Sequence, residues 1–176
     1  QRLKGVLHHT ELDLSATFSA MTGGNIYLKY ENSQKTGSFK IRGASNKIAA
    51  LVERGETGAV VASSAGNHAQ GVAYAAHRFG IPATIVMPKT APIAKAKATE
   101  GYGANVVLAG DCYDDAYAKA CEICEQEHAT FLHPYNDPEV IAGQGTLGLE
   151  ILGDLPTADI VIVPAGGGGL ISGIAF

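Results

Sequence analysis

Residues 58–80, "GAVVASSAGNHAQGVAYAAHRFG", decide the fold. A β-branched run around Val60 and Val61 breaks at small polar residues. It then passes into a segment whose apolar residues recur at helical spacing, so the stretch reads as strand, turn, helix. The pattern repeats: "PATIVMP" (82–88) precedes "APIAKAKATEGYG" (91–103), and "ANVVLAG" (104–110) precedes "YDDAYAKACEICEQEHA" (113–129). Alternation of this kind predicts an α/β fold built on a parallel sheet. "TFLHP" (130–134) and "DIVIVP" (159–164) are two further strand candidates, with a helix expected over 138–152. Upstream, "NIYLKYE" (25–31) reads as a strand and residues 38–54 as a helix closed by Gly55.

Composition narrows the function. An apolar content of 46% supports a packed core, and a net charge of -4 without a basic run argues against nucleic acid as a partner. No apolar run approaches the length of a membrane span, and the N-terminal stretch "QRLKGVLHHT" lacks the apolar centre of a secretion signal. The expectation is a cytoplasmic protein with no membrane partner. Three cysteines, Cys112, Cys121 and Cys124, lie too close together to tie distant segments. "CEIC" has redox or zinc spacing, but it falls within a helical pattern without a completing cluster, so helix packing is expected and no metal. Asp114 and Asp115 read as a solvated first turn.

Three stretches could carry chemistry. Four glycines, Gly166 to Gly169, follow "DIVIVP" and open a helix at Leu170. Such a loop lets backbone N–H groups approach an anion, a phosphate above all; a tight turn with close helix packing is the other reading. It lacks the Lys-Ser/Thr of a Walker loop. "SSAGNHAQG" (63–71) is a second strand-to-helix turn, in which Ser64, Asn67 and His68 could surround a carboxylate, or in which Ser64 or Asn67 simply caps the helix. Lys40 stands between Phe39 and Ile41. Most lysines are solvated, but apolar neighbours would lower its pKa toward a nucleophilic amine. An amine and a phosphate cradle together are what pyridoxal 5'-phosphate requires.

"ENSQKTGSFKIRGA" (31–44), "SAGNHAQG" (64–71), "IVMPKTAP" (85–92), "VIAGQGTLGLEI" (140–151) and "VPAGGGGLISG" (163–173) occur in the order found in fold-type II pyridoxal phosphate enzymes. The set most resembles the threonine dehydratase (threonine ammonia-lyase) and serine dehydratase family. The resemblance implies that Lys40 binds the cofactor aldehyde and later moves the substrate α-proton, with Phe39 against the cofactor ring. It implies that Asn67 hydrogen-bonds the ring hydroxyl, and that Ser64, Ala65, Asn67 and His68 surround the substrate carboxylate. Gly166, Gly167, Gly168, Gly169 and Leu170 would hold the phosphate. The implied reaction is deamination of L-threonine or L-serine to 2-oxobutanoate or pyruvate and ammonia, by α-proton abstraction and β-elimination. Similar serine racemases carry serine where this chain has Ala65, which favours dehydration over racemisation.

The resemblance also implies two open parallel-sheet lobes like those of the tryptophan synthase β chain. Residues 58–139 would form a small mobile lobe, and residues 1–57 with 140–176 part of the large cofactor lobe. The glycines of "AGQG" (142–145) would act as hinge. Family members are longer and supply the pyridine-nitrogen partner further on, so this chain is expected to be part of a longer design. The rival expectation is a truncated or engineered fragment that binds cofactor or phosphate without turnover; other fold-type II enzymes are a lesser alternative. A homo-oligomer is implied for the full-length family.

Overall fold

The computed structural model describes residues 2–176. In chain order the elements are β1 (Leu12–Leu14), α1 (Ala16–Thr22), β2 (Tyr27–Lys29), α2 (Lys40–Glu53), β3 (Val60–Ser63), α3 (Asn67–Phe79) and β4 (Ala83–Met87). There follow α4 (Ile93–Gly101), β5 (Asn105–Leu108), α5 (Tyr113–Glu127), β6 (Thr130–Phe131), α6 (Pro138–Asp154) and α7 (Gly169–Ala175). The three expected strand-helix units are all present, and β1 pairs with β2 as a small antiparallel ribbon.

The α/β expectation is borne out by a four-stranded parallel sheet in the order β5-β4-β3-β6. Its registers include Val60 opposite Ala83 and Val61 opposite Phe131. Both faces are covered, which is why β3 and β4 read as continuous apolar runs rather than alternating ones. Val60, Ala62, Ile85 and Met87 pack with α2 and α3, while Val61 and Val86 pack with Ala116, Ala120 and Ile123 of α5. The strand order doubles back between β3 and β6, because the chain visits β4 and β5 before returning. In open parallel sheets the crevice beyond the C-terminal ends of such a pair is where ligands sit.

α2 reaches across to both neighbours. Its Ala44, Ile48 and Leu51 join the sheet core. A Cβ on Gly71 of α3 would stand 3.0 Å from the Lys40 carbonyl carbon, so the absence of a side chain there brings α3 against the first turn of α2. On the other side, Gly43 N–H donates to Gln144 Oε1 of α6 at 3.1 Å.

A buried charge network holds the same helix. Arg42, with no exposed surface, donates to Glu31 at 2.7 and 2.8 Å and to Glu150 at 2.6 and 2.9 Å. Lys29 Nζ adds ion pairs to Glu150 and Asp154 at 3.1 and 3.0 Å. Burial by itself would raise the Glu150 pKa, but the hydrogen bonds and charges of Arg42 and Lys29 together outweigh it and hold the carboxyl below its ordinary value. Breaking such a network by removing one partner costs about 3–5 kcal/mol, so the start of α2 is firmly placed.

Two expectations are corrected by the fold. Residues 159–164 form no strand. Ile160 and Ile162 are 81% and 89% exposed, because among the described residues no strand lies beside them to accept their backbone hydrogen bonds. The expected hinge at residues 142–145 lies inside the continuous α6, which starts at Pro138 with the Asp137 carboxylate accepting from Glu139 and Val140 N–H groups. A Cβ on Gly143 would stand 2.6 Å from the Arg42 carbonyl oxygen, and one on Gly145 would strike the backbone of Gly173 in α7. These glycines serve close helix approach, not rotation.

Candidate active site

A cavity of about 400 Å³ opens at the β3–β6 crevice, within the range of about 300–1,000 Å³ that small-molecule sites occupy. Lys40, Ser63, Ser64, Asn67, His68, Tyr113, Pro134 and Tyr135 line it. The wall residues come from the end of β3 and the turn into α3, the first residues of α2, α3 and α5, and the segment after β6.

Lys40 Nζ donates to the Pro134 carbonyl at 2.8 Å and lies 5.4 Å from the centroid of the Phe39 ring. Its pKa is lowered, and burial is the cause. That is the direction expected from its apolar neighbours in the chain. A buried amine that loses its proton more readily is a better nucleophile and a better base.

His68 is buried. Its Nε2 lies 2.9 Å from the Leu132 carbonyl, which accepts from the ring N–H, and Nδ1 then carries a lone pair with no partner. Burial, helped by the positive charges of Lys40 and His133 and opposed by the Leu132 bond, pushes its pKa down to about 4. The ring is therefore neutral at pH 7. Ser63 Oγ, on the same wall, is also buried without a partner.

The turn "SSAGN" has no side chain capping α3. The N-cap is Gly66, and Ser64 Oγ instead accepts from the Gly66 N–H at 3.2 Å. The first N–H groups of α3 are thus left for something in the cavity. Ala65, between the lining residue Ser64 and the N-cap Gly66, is half-buried against the sheet core, and Phe39 packs with Leu147, Ile151 and Leu170.

The glycine run does not line the cavity itself and meets its wall at Tyr135. Gly168 has φ +85 and caps α7 without a side chain; Gly169 and Leu170 are buried and Gly166 and Gly167 exposed. A Cβ on Gly167 would strike the Tyr135 ring, and one on Gly169 would stand 2.9 Å from Tyr135 Cα. Tyr135 thus touches the glycine loop on one side and lines the cavity on the other, next to the proline whose carbonyl holds Lys40. Sequence reasoning missed Ser63, Tyr113, Pro134 and Tyr135, since nothing in a local pattern reveals which residues of a β6 loop fold back over β3.

The residues present fit a flat aldehyde carrying a phosphate. The cavity holds an amine of lowered pKa, orphaned buried polar atoms at Ser63 and His68, an uncapped helix start, and a wall residue, Tyr135, that packs on the glycine loop. Residues 4–176 match the family described as pyridoxal-phosphate dependent enzyme. The chain belongs to that family. It is 61% identical over 173 residues to an L-threonine ammonia-lyase of Thermotoga maritima, covering 98% of this chain and 43% of that relative. It is 55% identical over 175 residues to a catabolic L-threonine dehydratase of Escherichia coli, covering 99% of this chain and 53% of the relative. Maize serine racemase superposes with a TM-score of 0.94 at 41% identity, over 99% of this chain and 53% of that one. The fold is that of the fold-type II members. The chain spans about half the length of the curated relatives it matches.

The cysteine cluster stays outside the site. Cys112, Cys121 and Cys124 are free, no group among the described residues could hold a metal ion, and burial pushes the Cys124 thiol up to about 11. Among the described residues no helix is long and apolar enough to cross a membrane.

Proposed function

We propose that this chain carries the substrate-binding half of a pyridoxal phosphate-dependent ammonia-lyase that deaminates L-threonine and L-serine to 2-oxobutanoate or pyruvate and ammonia. The single observation that carries the reading is Lys40: a half-buried amine of lowered pKa, held by the Pro134 carbonyl in a cavity that also receives the open start of α3. The names of the 52–61% identical relatives support the choice of threonine within the family.

When bound, pyridoxal phosphate supplies the electron sink that makes an amino-acid α-proton acidic. The residues then divide the work. Lys40 would hold the cofactor through its aldehyde and, as a free amine, would take the substrate α-proton at Nζ. Its lowered pKa keeps a larger share of the amine free for that step. N–H groups at the start of α3, with Ser64 and Asn67, hold the substrate carboxylate by hydrogen bonding and the helix dipole. Asn67 would also hydrogen-bond the ring hydroxyl, and Phe39 would back the ring. Gly166 to Leu170 would present main-chain donors to the phosphate, and His68 stays neutral as an acceptor. Ala65 offers no hydroxyl for proton delivery to the opposite face, which favours elimination over racemisation. In this reading residues 58–139 act as the smaller, mobile lobe and residues 1–57 with 140–176 as part of the cofactor lobe, in a cytoplasmic homo-oligomer.

Incubation with pyridoxal phosphate is expected to give a visible band that borohydride fixes on residue 40, and threonine is expected to yield 2-oxobutanoate. Lys40→Ala is expected to abolish both, with turnover falling by at least about a thousandfold, consistent with loss of nucleophile and base together. A band that persists unchanged in Lys40→Ala would rule the assignment out.

A further inference from the structure

We propose that Tyr113 sets the size of the amino-acid side chain admitted to the Lys40 cavity, an assignment that rests on the substrate reading above. A bound amino acid has three groups to place around its Cα. Its amine belongs at the Lys40 end and its carboxylate at the start of α3, which leaves the side chain facing the wall made by Tyr113, Pro134 and Tyr135.

Two of those three are already committed. The Pro134 carbonyl accepts from Lys40, and Tyr135 is wedged between Gly167, Gly169 and the His133 ring, whose centroid lies 4.6 Å away. Tyr113 is different. It is 48% exposed, and among the described residues its ring stacks only on Tyr117, at 6.2 Å and 28°. Its root is nevertheless fixed. Asp115 Oδ2 accepts from the N–H groups of Asp111 and Cys112 at 2.9 and 3.2 Å, and the Gly110 carbonyl accepts from Lys89 N–H at 2.9 Å. An aromatic plate on a pinned backbone, free of the core, is the part of the wall that can change without disturbing the rest. The hydroxyls and amide on the other walls offer polar partners, so an alkyl side chain has only this side to pack against.

The test uses the pyridoxal phosphate-loaded protein and a ladder of amino acids without a β-leaving group: L-alanine, L-2-aminobutyrate, L-norvaline and L-norleucine. Dissociation constants come from titrating the visible absorption of the bound cofactor. The wild type is expected to prefer 2-aminobutyrate to norleucine. Tyr113→Ala is expected to shift that ratio toward norleucine by about tenfold, the worth of two newly buried methylenes, and Tyr113→Phe to restore the wild-type order. Tyr113→Trp is expected to move the preference the other way, from 2-aminobutyrate toward alanine. Ratios unchanged in both the alanine and tryptophan variants, with the lysine-bound band intact, would overturn the role of Tyr113 and leave the Lys40 reading standing. A loaded wild type that binds none of the four would do the same. Absence of the lysine-bound band in the wild type would remove the reading itself and this proposal with it.

Discussion

Val60–Ser63 and residues 159–164 have the same local make-up, β-branched residues running into a turn that contains glycine and then a helix, yet they finish in different states. The first lies between β4 and β6 with every residue buried. The second leaves Ile160, Val161 and Ile162 open to solvent. A strand is stabilised by what lies beside it, not by its own residues. The loops that follow inherit the difference. After β3 the turn presents α3 to a cavity walled by its own neighbours. After residue 164 the glycines meet the rest of the chain mainly through Tyr135 and the packing of α7 on α6.

The sharpest way to break this comparison is a matched pair of charges. Val61→Asp puts a carboxylate between two buried strands and is expected to remove several kcal/mol, enough to unfold a domain of ordinary stability. Ile162→Asp in the same 176-residue chain is expected to change stability by less than about 0.5 kcal/mol. Urea titration followed by far-ultraviolet circular dichroism compares them directly. Equal losses would mean that residues 159–164 are packed in solution.

A pH series sharpens the first region. The folded pKa of His68 lies near 4, below the ordinary 6.5, so the unfolded chain binds its proton first. The stability that comes from keeping the ring neutral is complete above pH 6.5. It falls as pH drops from 6.5 to about 4, by on the order of 3 kcal/mol, and changes no further below. Denaturation midpoints across that window, with His68→Gln as the non-titrating control, are expected to differ in slope. The depressed carboxyl groups of Glu150 and Asp154 add their own loss only below the ordinary carboxylate range.

The smallest expected effect belongs to the second region. Gly168 holds φ +85, which side chains rarely adopt, whereas Gly166 has open space around it. Gly168→Ala is expected to cost about 1 kcal/mol and Gly166→Ala less than half of that. Thermal melting of the two variants measures the difference.

Much of the molecule is legible in the order of its residues. β-branched runs and helical spacing locate the three strand-helix units, and Gly55 with φ +76 does close α2. Lys40 stands out through its neighbours, whereas the sequence leaves open whether Ser64 or Asn67 caps α3, and only the fold shows its start without a side-chain cap. Other positions are not legible. Tyr113 and Tyr135 are ordinary aromatic residues until β5 and β6 bring their loops over β3. Glycines 143 and 145 read as flexible because a sequence does not say that α2 and α7 press on them.

Local chemistry determined which segments extend, which coil, and which residues have the means to hold an amine, a carboxylate or a phosphate, because dihedral preferences and hydrogen-bonding capacity belong to a residue and its near neighbours. Tertiary structure alone decided which extended segment became a strand and which walls met around Lys40. Both depend on backbone and side-chain partners far away in the chain, and no window of sequence contains them.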